Sequence, residues 1–179
     1  MVAVTVDAKQ LAKMERALRH IEKGVPKAMV PAINRALSSG QTVVKREIRK
    51  EYVIRAKDIP TKVHRANYGT LKGEIRIQQG MLGLDKFRTR GGLRRRPLFA
   101  QVRVGGGGVI ASGFWGGGKL FRRVGPPRLP IKRLMAIGAP IMASQPAVGP
   151  AANARMGEVL AKRMDHEMQR VLASAGGKS

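Results

Sequence analysis

The stretch PLFAQVRVGGGGVIASGFW, residues 97–115, sets two β-like runs on either side of four consecutive glycines at 105–108. Branched and aromatic residues fill the runs, and the glycines free the backbone to reverse, so a pair of strands is predicted. Working outward, KLFRRVG (119–125) reads as a further strand, and RLPIKRLMAI (128–137) as another with Pro130 at an edge or a strand start. Upstream, GTLKGEIRIQ (69–78) places Leu71, Gly73, Ile75 and Ile77 on one face. The flanks change period. Residues 7–23 carry Leu11, Met14, Leu18 and Ile21 at helical spacing, with Asp7 as N-cap and Gly24 as stop. Residues 26–50 predict a longer helix with Pro26 in its first turn, where Pro31 kinks rather than ends it. A short third helix is expected over 58–66, capped by Asp58. Residues 146–174 predict a long terminal helix, with Val148, Ala152, Met156, Val159, Leu160, Arg163, Glu167 and Leu172 near one stripe. Helices, then strands, then a helix predict an α+β fold: a mostly antiparallel sheet packed by long N-terminal helices and a long C-terminal helix. The chain is expected to be a single domain over 1–179, helical over 1–66, with a basic β region over 70–140 and the C-terminal helix over 146–174. No internal repeat is visible.

Apolar residues make up 43% of the 179, enough for a core, while aromatics are 4%, so that core must come from Ile, Leu, Val, Met and Ala. There is no cysteine, which excludes a disulfide framework or a thiolate metal site and fits a reducing compartment. The first residues lack the basic start and apolar centre of a secretion signal. Nowhere do about 18 apolar residues run together, so no membrane-spanning helix is expected. Charge dominates. Lys and Arg number 35 against 11 Asp and Glu, a net +24. Small soluble domains usually carry about 2 to 8 in magnitude, and a larger excess opposes the compact state by self-repulsion. A polyanion or an acidic neighbour would supply the missing charge. The excess is uneven: between Asp85 and Glu158 every charge is positive.

Motifs for catalysis fail on their own requirements. Gly113 to Lys119 matches a phosphate-loop spacing, but Leu120 stands where Ser or Thr must hold magnesium, and a strand-like run follows where a helix is needed. HEMQR at 166–170 lacks the second histidine of a zinc protease, with Arg170 in its place. His20 and His64 are isolated, and the carboxylates form no acid–base pair. No catalytic, cofactor-binding or metal-ligating residue is assigned, no cofactor is expected, and no enzyme activity is predicted. Two loops, 87–97 and 113–119, are expected to be mobile because neither can bury much apolar area. A phosphate-contacting surface is expected from Arg88, Arg90, Arg94, Arg95, Arg96, Arg122, Arg123, Lys132 and Arg133, because the arginine fork grips phosphate oxygens. No recognition-helix signature accompanies them, so contact would be to the DNA backbone and strongly salt-dependent. In PPRLPIKRLMAIGAPI (126–141) prolines stiffen a segment too apolar for a bare loop. A subunit-docking role is expected for Phe121, Leu129, Pro130, Ile131, Leu134 and Met135.

The stretches AINRAL (32–37), TVVKREI (42–48), the Tyr52 region, GEIRI (73–77), LGLDKF (82–87) and FRRVGPPRLPIKRLMAIGAPIMA (121–143), in this order and spacing, together resemble the minor tail protein Z family of long-tailed phages, the tail-completion proteins. In the last, Phe121, Arg122, Gly125, Arg128, Pro130, Ile131, Leu134 and Gly138 fill the family's places, while Gly138 to Pro140 departs from a family-typical Gly-Pro-Ser. The resemblance implies a virion protein at the head-proximal end of a tail, active in head–tail joining and placement of the DNA end. It also implies a homo-oligomeric ring, six-fold by analogy with neck components. The implied partners are a tail terminator, the tail tube, a head–tail connector and phage DNA, with no membrane and with host cytoplasm as the place of assembly. The rival readings are a free, sequence-nonspecific nucleic-acid-binding protein and, after it, a membrane-surface binder.

Overall fold

A computed structural model describes residues 2–3, 8–78, 80–93 and 97–176. In chain order the elements begin with β1 (Val2–Ala3), α1 (Ala8–Leu18), α2 (Gly24–Glu51), β2 (Thr61–His64) and β3 (Glu74–Ile77). There follow β4 (Met81–Gly83), β5 (Arg88–Arg90), β6 (Leu98–Gln101), β7 (Gly108–Ile110), β8 (Gly113–Gly116) and β9 (Lys119–Arg123). The chain closes with β10 (Ile131–Arg133), β11 (Met135–Gly138), α3 (Ala139–Ala143) and α4 (Val148–Gly176). This is the α+β class expected, and every strand pair whose register is defined is antiparallel. The strands form four small sheets rather than one broad one. Two compact units result: Met1–Val44 with Thr61–Arg76 and Pro146–Ser179, and Lys45–Pro60 with Ile77–Gln145.

The first unit is built on helical periodicity. Along α2, Ala28, Met29, Ala32, Ile33, Ala36 and Leu37 are buried, and along α4 Met156, Leu160, Met164, Met168 and Val171 join the same cluster with Met14 and Leu18 of α1. Small residues allow the helices close approach. A Cβ at Gly40 would lie 2.5 Å from the Met156 side chain, and one at Gly73 would lie 2.4 Å from Leu37 Cδ1. Gly73, just before β3, thus lets that backbone lie close to α2, as Gly40 lets Met156 of α4 do. Asn34 of α2 holds the chain after β2 in both directions: its Nδ2 donates to the Ala66 carbonyl at 3.1 Å, and its Oδ1 accepts from the Ala66 N–H at 2.9 Å. β1, β3 and β2 form a sheet in that order, with Val2 opposite Ile75.

Several local expectations change. α1 ends at Leu18, short of 23, because the polar run after it closes in turns (Ile21 N–H to Leu18 O, Gly24 N–H to Ile21 O) and Lys23 takes a left-handed φ of 53°. Gly24 therefore opens α2 instead of stopping α1. Asp7 lies outside the described residues. α2 runs through Pro31. The helix expected over 58–66 is absent: Ala56–Asp58 makes one 3-10 turn, and Thr61–His64 is β2. Pro60 disfavours helix at Ile59, and β-branched Thr61 and Val63 suit the extended chain that follows. In α4 the buried stripe is Val148, Ala152, Met156, Leu160, Met164, Glu167, Met168 and Val171, whereas Leu172 is exposed. Among the described residues no helix is long and apolar enough to cross a membrane.

The second unit has short strands around a small core. β5, β6 and β7 form one sheet, β8, β9 and β10 another, and β4 pairs with β11. Leu84, Leu98, Ala100 and Leu120 are buried together, with Val102, Ile110, Trp115, Leu134 and Ala136 against them. The glycine run does join two antiparallel strands, β6 and β7, with Leu98 opposite Ile110. Both basic or glycine-rich loops contribute strands: Arg88–Arg90 is β5 and Gly113–Gly116 is β8.

Candidate polyanion and docking site

The candidate residues that the fold brings together lie on β9 and β10. Their register sets Ile131 opposite Arg123, Lys132 opposite Arg122 and Arg133 opposite Phe121. Side chains alternate along a strand, so Arg122 and Lys132 share a face, directly across the ladder, and both are exposed. Like charges so placed repel, and nothing in the strand geometry requires two cations there. Arg123 is on the other face, its guanidinium 5.8 Å from the Phe114 ring centroid. Phe114 and Phe121 are cross-strand partners with ring centroids 6.2 Å apart.

Arg133 is placed differently. Its Nη2 donates to Asp85 Oδ1 at 3.1 Å, and its buried Nε has no hydrogen-bond partner among the described residues. That guanidinium is engaged inside the unit. Arg88 and Arg90 stand exposed on one face of β5, opposite Gln101 and Phe99 in the β6 register, on a different sheet from Arg122. Arg94, Arg95 and Arg96 lie outside the described residues.

The docking candidates divide as well. Leu129 is 66% exposed, Ile131 41% and Met135 40%, and Pro130 between them is exposed just before β10. Phe121 is half-buried against Phe114. Leu134 packs into the core of the unit, its N–H donating to the Leu120 carbonyl at 2.8 Å while its own carbonyl accepts from the Leu84 N–H at 3.0 Å.

A second concentration of cations escaped the sequence reading. Arg49, from the last turn of α2, and Arg55, just beyond it, meet Lys86 and Arg88 around a cleft of about 750 Å³. Asp58 accepts from Arg55 Nε at 2.7 Å and from Lys86 Nζ at 3.3 Å. Burial pushes the Asp58 carboxyl up, but these hydrogen bonds outweigh it and hold the carboxyl below its ordinary value. The signal was present in KREIRKEYVIRAK (45–57), six cations against two carboxylates, but nothing in its spacing ties it to Lys86 and Arg88.

The segment with phosphate-loop spacing is a hairpin. Gly117 (φ 54°) and Gly118 (φ 73°) join β8 to β9, and no helix follows. His166 is exposed on α4. Among the described residues no three His, Cys, Asp or Glu side chains come together as a metal site.

The arrangement is that of a basic α+β protein with a sealed helical part and a cationic, partly apolar strand part. The prophage minor tail protein Z family model matches residues 9–175, and the chain belongs to that family. It is a structural protein of a phage tail and works among other tail proteins in the virion. Comparison with curated proteins gave no match, and comparison with solved structures gave none.

Proposed function

We propose that this protein completes the head-proximal end of the tail as one tail-completion domain, supporting head–tail joining and the positioning of the DNA end. The observation that carries the reading is the coincidence, in one unit, of exposed Leu129, Ile131 and Met135 with Arg88, Arg90, Arg122, Arg123 and Lys132, which have no carboxylate partner among the described residues. Apolar side chains at that density bind protein, and cations in that excess bind a polyanion. Phage DNA is the polyanion, contacted by Arg88, Arg90, Arg122, Arg123 and Lys132, with Arg94, Arg95 and Arg96 added from the sequence. The protein partners are a tail terminator, the tail tube and a head–tail connector. Copies of the chain form a ring, of six by the symmetry of neck components, assembled in the host cytoplasm. The role is architectural rather than catalytic.

The test is imaging of particles carrying a labelled copy of the chain, together with tails made without it. Label at the head-proximal end, and tails that fail to join heads in its absence, are the expected results. Label along the tail shaft or at the distal tip, or normal joining without the chain, would overturn the reading.

A further inference from the structure

We infer that the cleft at the end of α2 takes a short unpaired stretch of DNA, its phosphates on Arg49 and Arg88 and a base against Trp115. The inference rests on the reading that this chain meets DNA, and it assigns that contact a site and a strand form. Four cations from separate parts of the chain line the cleft. Arg55 and Lys86 are held by Asp58, and Asp85, the acidic residue of the lining, is held by Arg133. Arg49 and Arg88 have no carboxylate partner among the described residues, and both are exposed. The wall thus offers two uncompensated guanidinium groups, the side chain best shaped for phosphate oxygens.

Trp115 decides which nucleic acid fits. It is the single tryptophan of the chain, it lines the same cleft, and it is half-buried. Its Nε1 donates to the Gly91 carbonyl at 3.1 Å, which fixes the ring while leaving part of it on the cleft wall. A fixed aromatic ring beside cations is the stacking platform of single-strand binders, since every base has a π-face to lay on it. Bases in a duplex are stacked on each other and cannot use it. A cleft of about 750 Å³ also suits a few nucleotides rather than the side of a double helix. An acidic peptide would use the cations and leave the indole idle.

The single tryptophan makes the site directly readable. Full-length protein is titrated with oligo(dT) of about 12 nucleotides, with a blunt duplex of equal length, and with polyglutamate, following Trp115 emission and the anisotropy of end-labelled probes. Oligo(dT) is expected to quench the emission and to bind about tenfold more tightly than the duplex. Arg49→Gln with Arg88→Gln should weaken oligo(dT) about tenfold and lower the salt slope by about 1.4, while circular dichroism stays that of the parent. Trp115→Leu, read by anisotropy, should weaken the oligonucleotide and spare the duplex. Equal quenching by duplex or polyglutamate, or a folded double variant that binds as the parent does, overturns the inference. If both DNA forms bind equally with Trp115 silent, the cleft assignment fails and the DNA reading stands. If neither form binds, both fail.

Discussion

Of the large apolar side chains exposed among the described residues, two, Tyr68 and Leu172, belong to the helical unit, and ten belong to the strand-rich unit. The charges are divided in the same sense. The helical unit has 16 Lys and Arg against seven carboxylates, the strand-rich unit 19 against four. Long helices seal themselves, because a stripe repeating every three to four residues on α2 meets another on α4. Strands of three to five residues in three-stranded sheets bury little: Leu98 and Ala100 of β6, Leu120 of β9 and no residue of β10. The helical unit pairs some of the cations it exposes: Lys13 with Asp165, and Arg155 and Lys162 with Glu158. Hydrogen bonds from Lys162 and then Arg155 hold the Glu158 carboxyl below its ordinary value. The strand-rich unit does the same with Glu47, Asp58 and Asp85, but it has fewer carboxylates for more cations. Burying an exposed Val, Leu or Ile is worth about 1.5–3 kcal/mol, so a partner that covered several of the ten would gain a driving force that the isolated chain leaves unused.

The contrast can be broken at its strongest point first. Leu37→Ala, in the sealed core, should cost about 2–5 kcal/mol in denaturant unfolding. Val109→Ala, at a side chain 66% exposed, should change stability by no more than about 0.5 kcal/mol. Comparable losses at both sites would erase the distinction between the units. Within the strand-rich unit, Leu134→Asp puts a charge into the core and should collapse near-UV dichroism, whereas Ile131→Asp should leave the spectrum intact and abolish incorporation into tails. A folded Ile131→Asp protein that still assembles would remove β10 from the docking surface. A smaller effect is expected from Lys132→Glu. It turns the repulsion facing Arg122 into a cross-strand pair and should stabilise the fold by about 0.2–1 kcal/mol while weakening DNA binding. Stabilisation without loss of affinity would mean that the cations of β9 and β10 serve something other than DNA.

Acid gives the smallest and most local test. The Asp58 carboxyl lies below its unfolded value of 3.8, so its contribution is complete above that pH and is lost as the pH falls through the depressed folded value. Stability should therefore fall with acidification below about pH 4 and be less pH-dependent there in Asp58→Asn, as read by urea midpoints.

Much of this was legible along the chain. Met14, Leu18, Met29, Ile33, Leu37, Met156 and Leu160 announce their burial by spacing, because a helix long enough to repeat its stripe writes its inner face into the sequence. The strand runs were visible too, but not their pairing: 97–115 yields three strands on two sheets, since periodicity says which way a residue faces and not which strand lies beside it. The short helix α3 and the strand β4 are too brief to carry a period. The candidate site was half legible. Charge counting marks Arg122, Arg123 and Lys132, but it cannot separate Arg133, which Asp85 engages from 48 residues away. Nor can it join Arg49 to Arg88, which only the folded chain brings to one cleft.

By itself, then, the sequence determined the class of fold, the helical core and the sign of the chain's own charge, because periodicity and net charge are properties of composition and order. Tertiary structure decided which cations are free and which are spent, and which apolar residues close a core and which face outward. Those depend on what stands opposite, and contacts between residues far apart in the chain are not encoded in any local pattern.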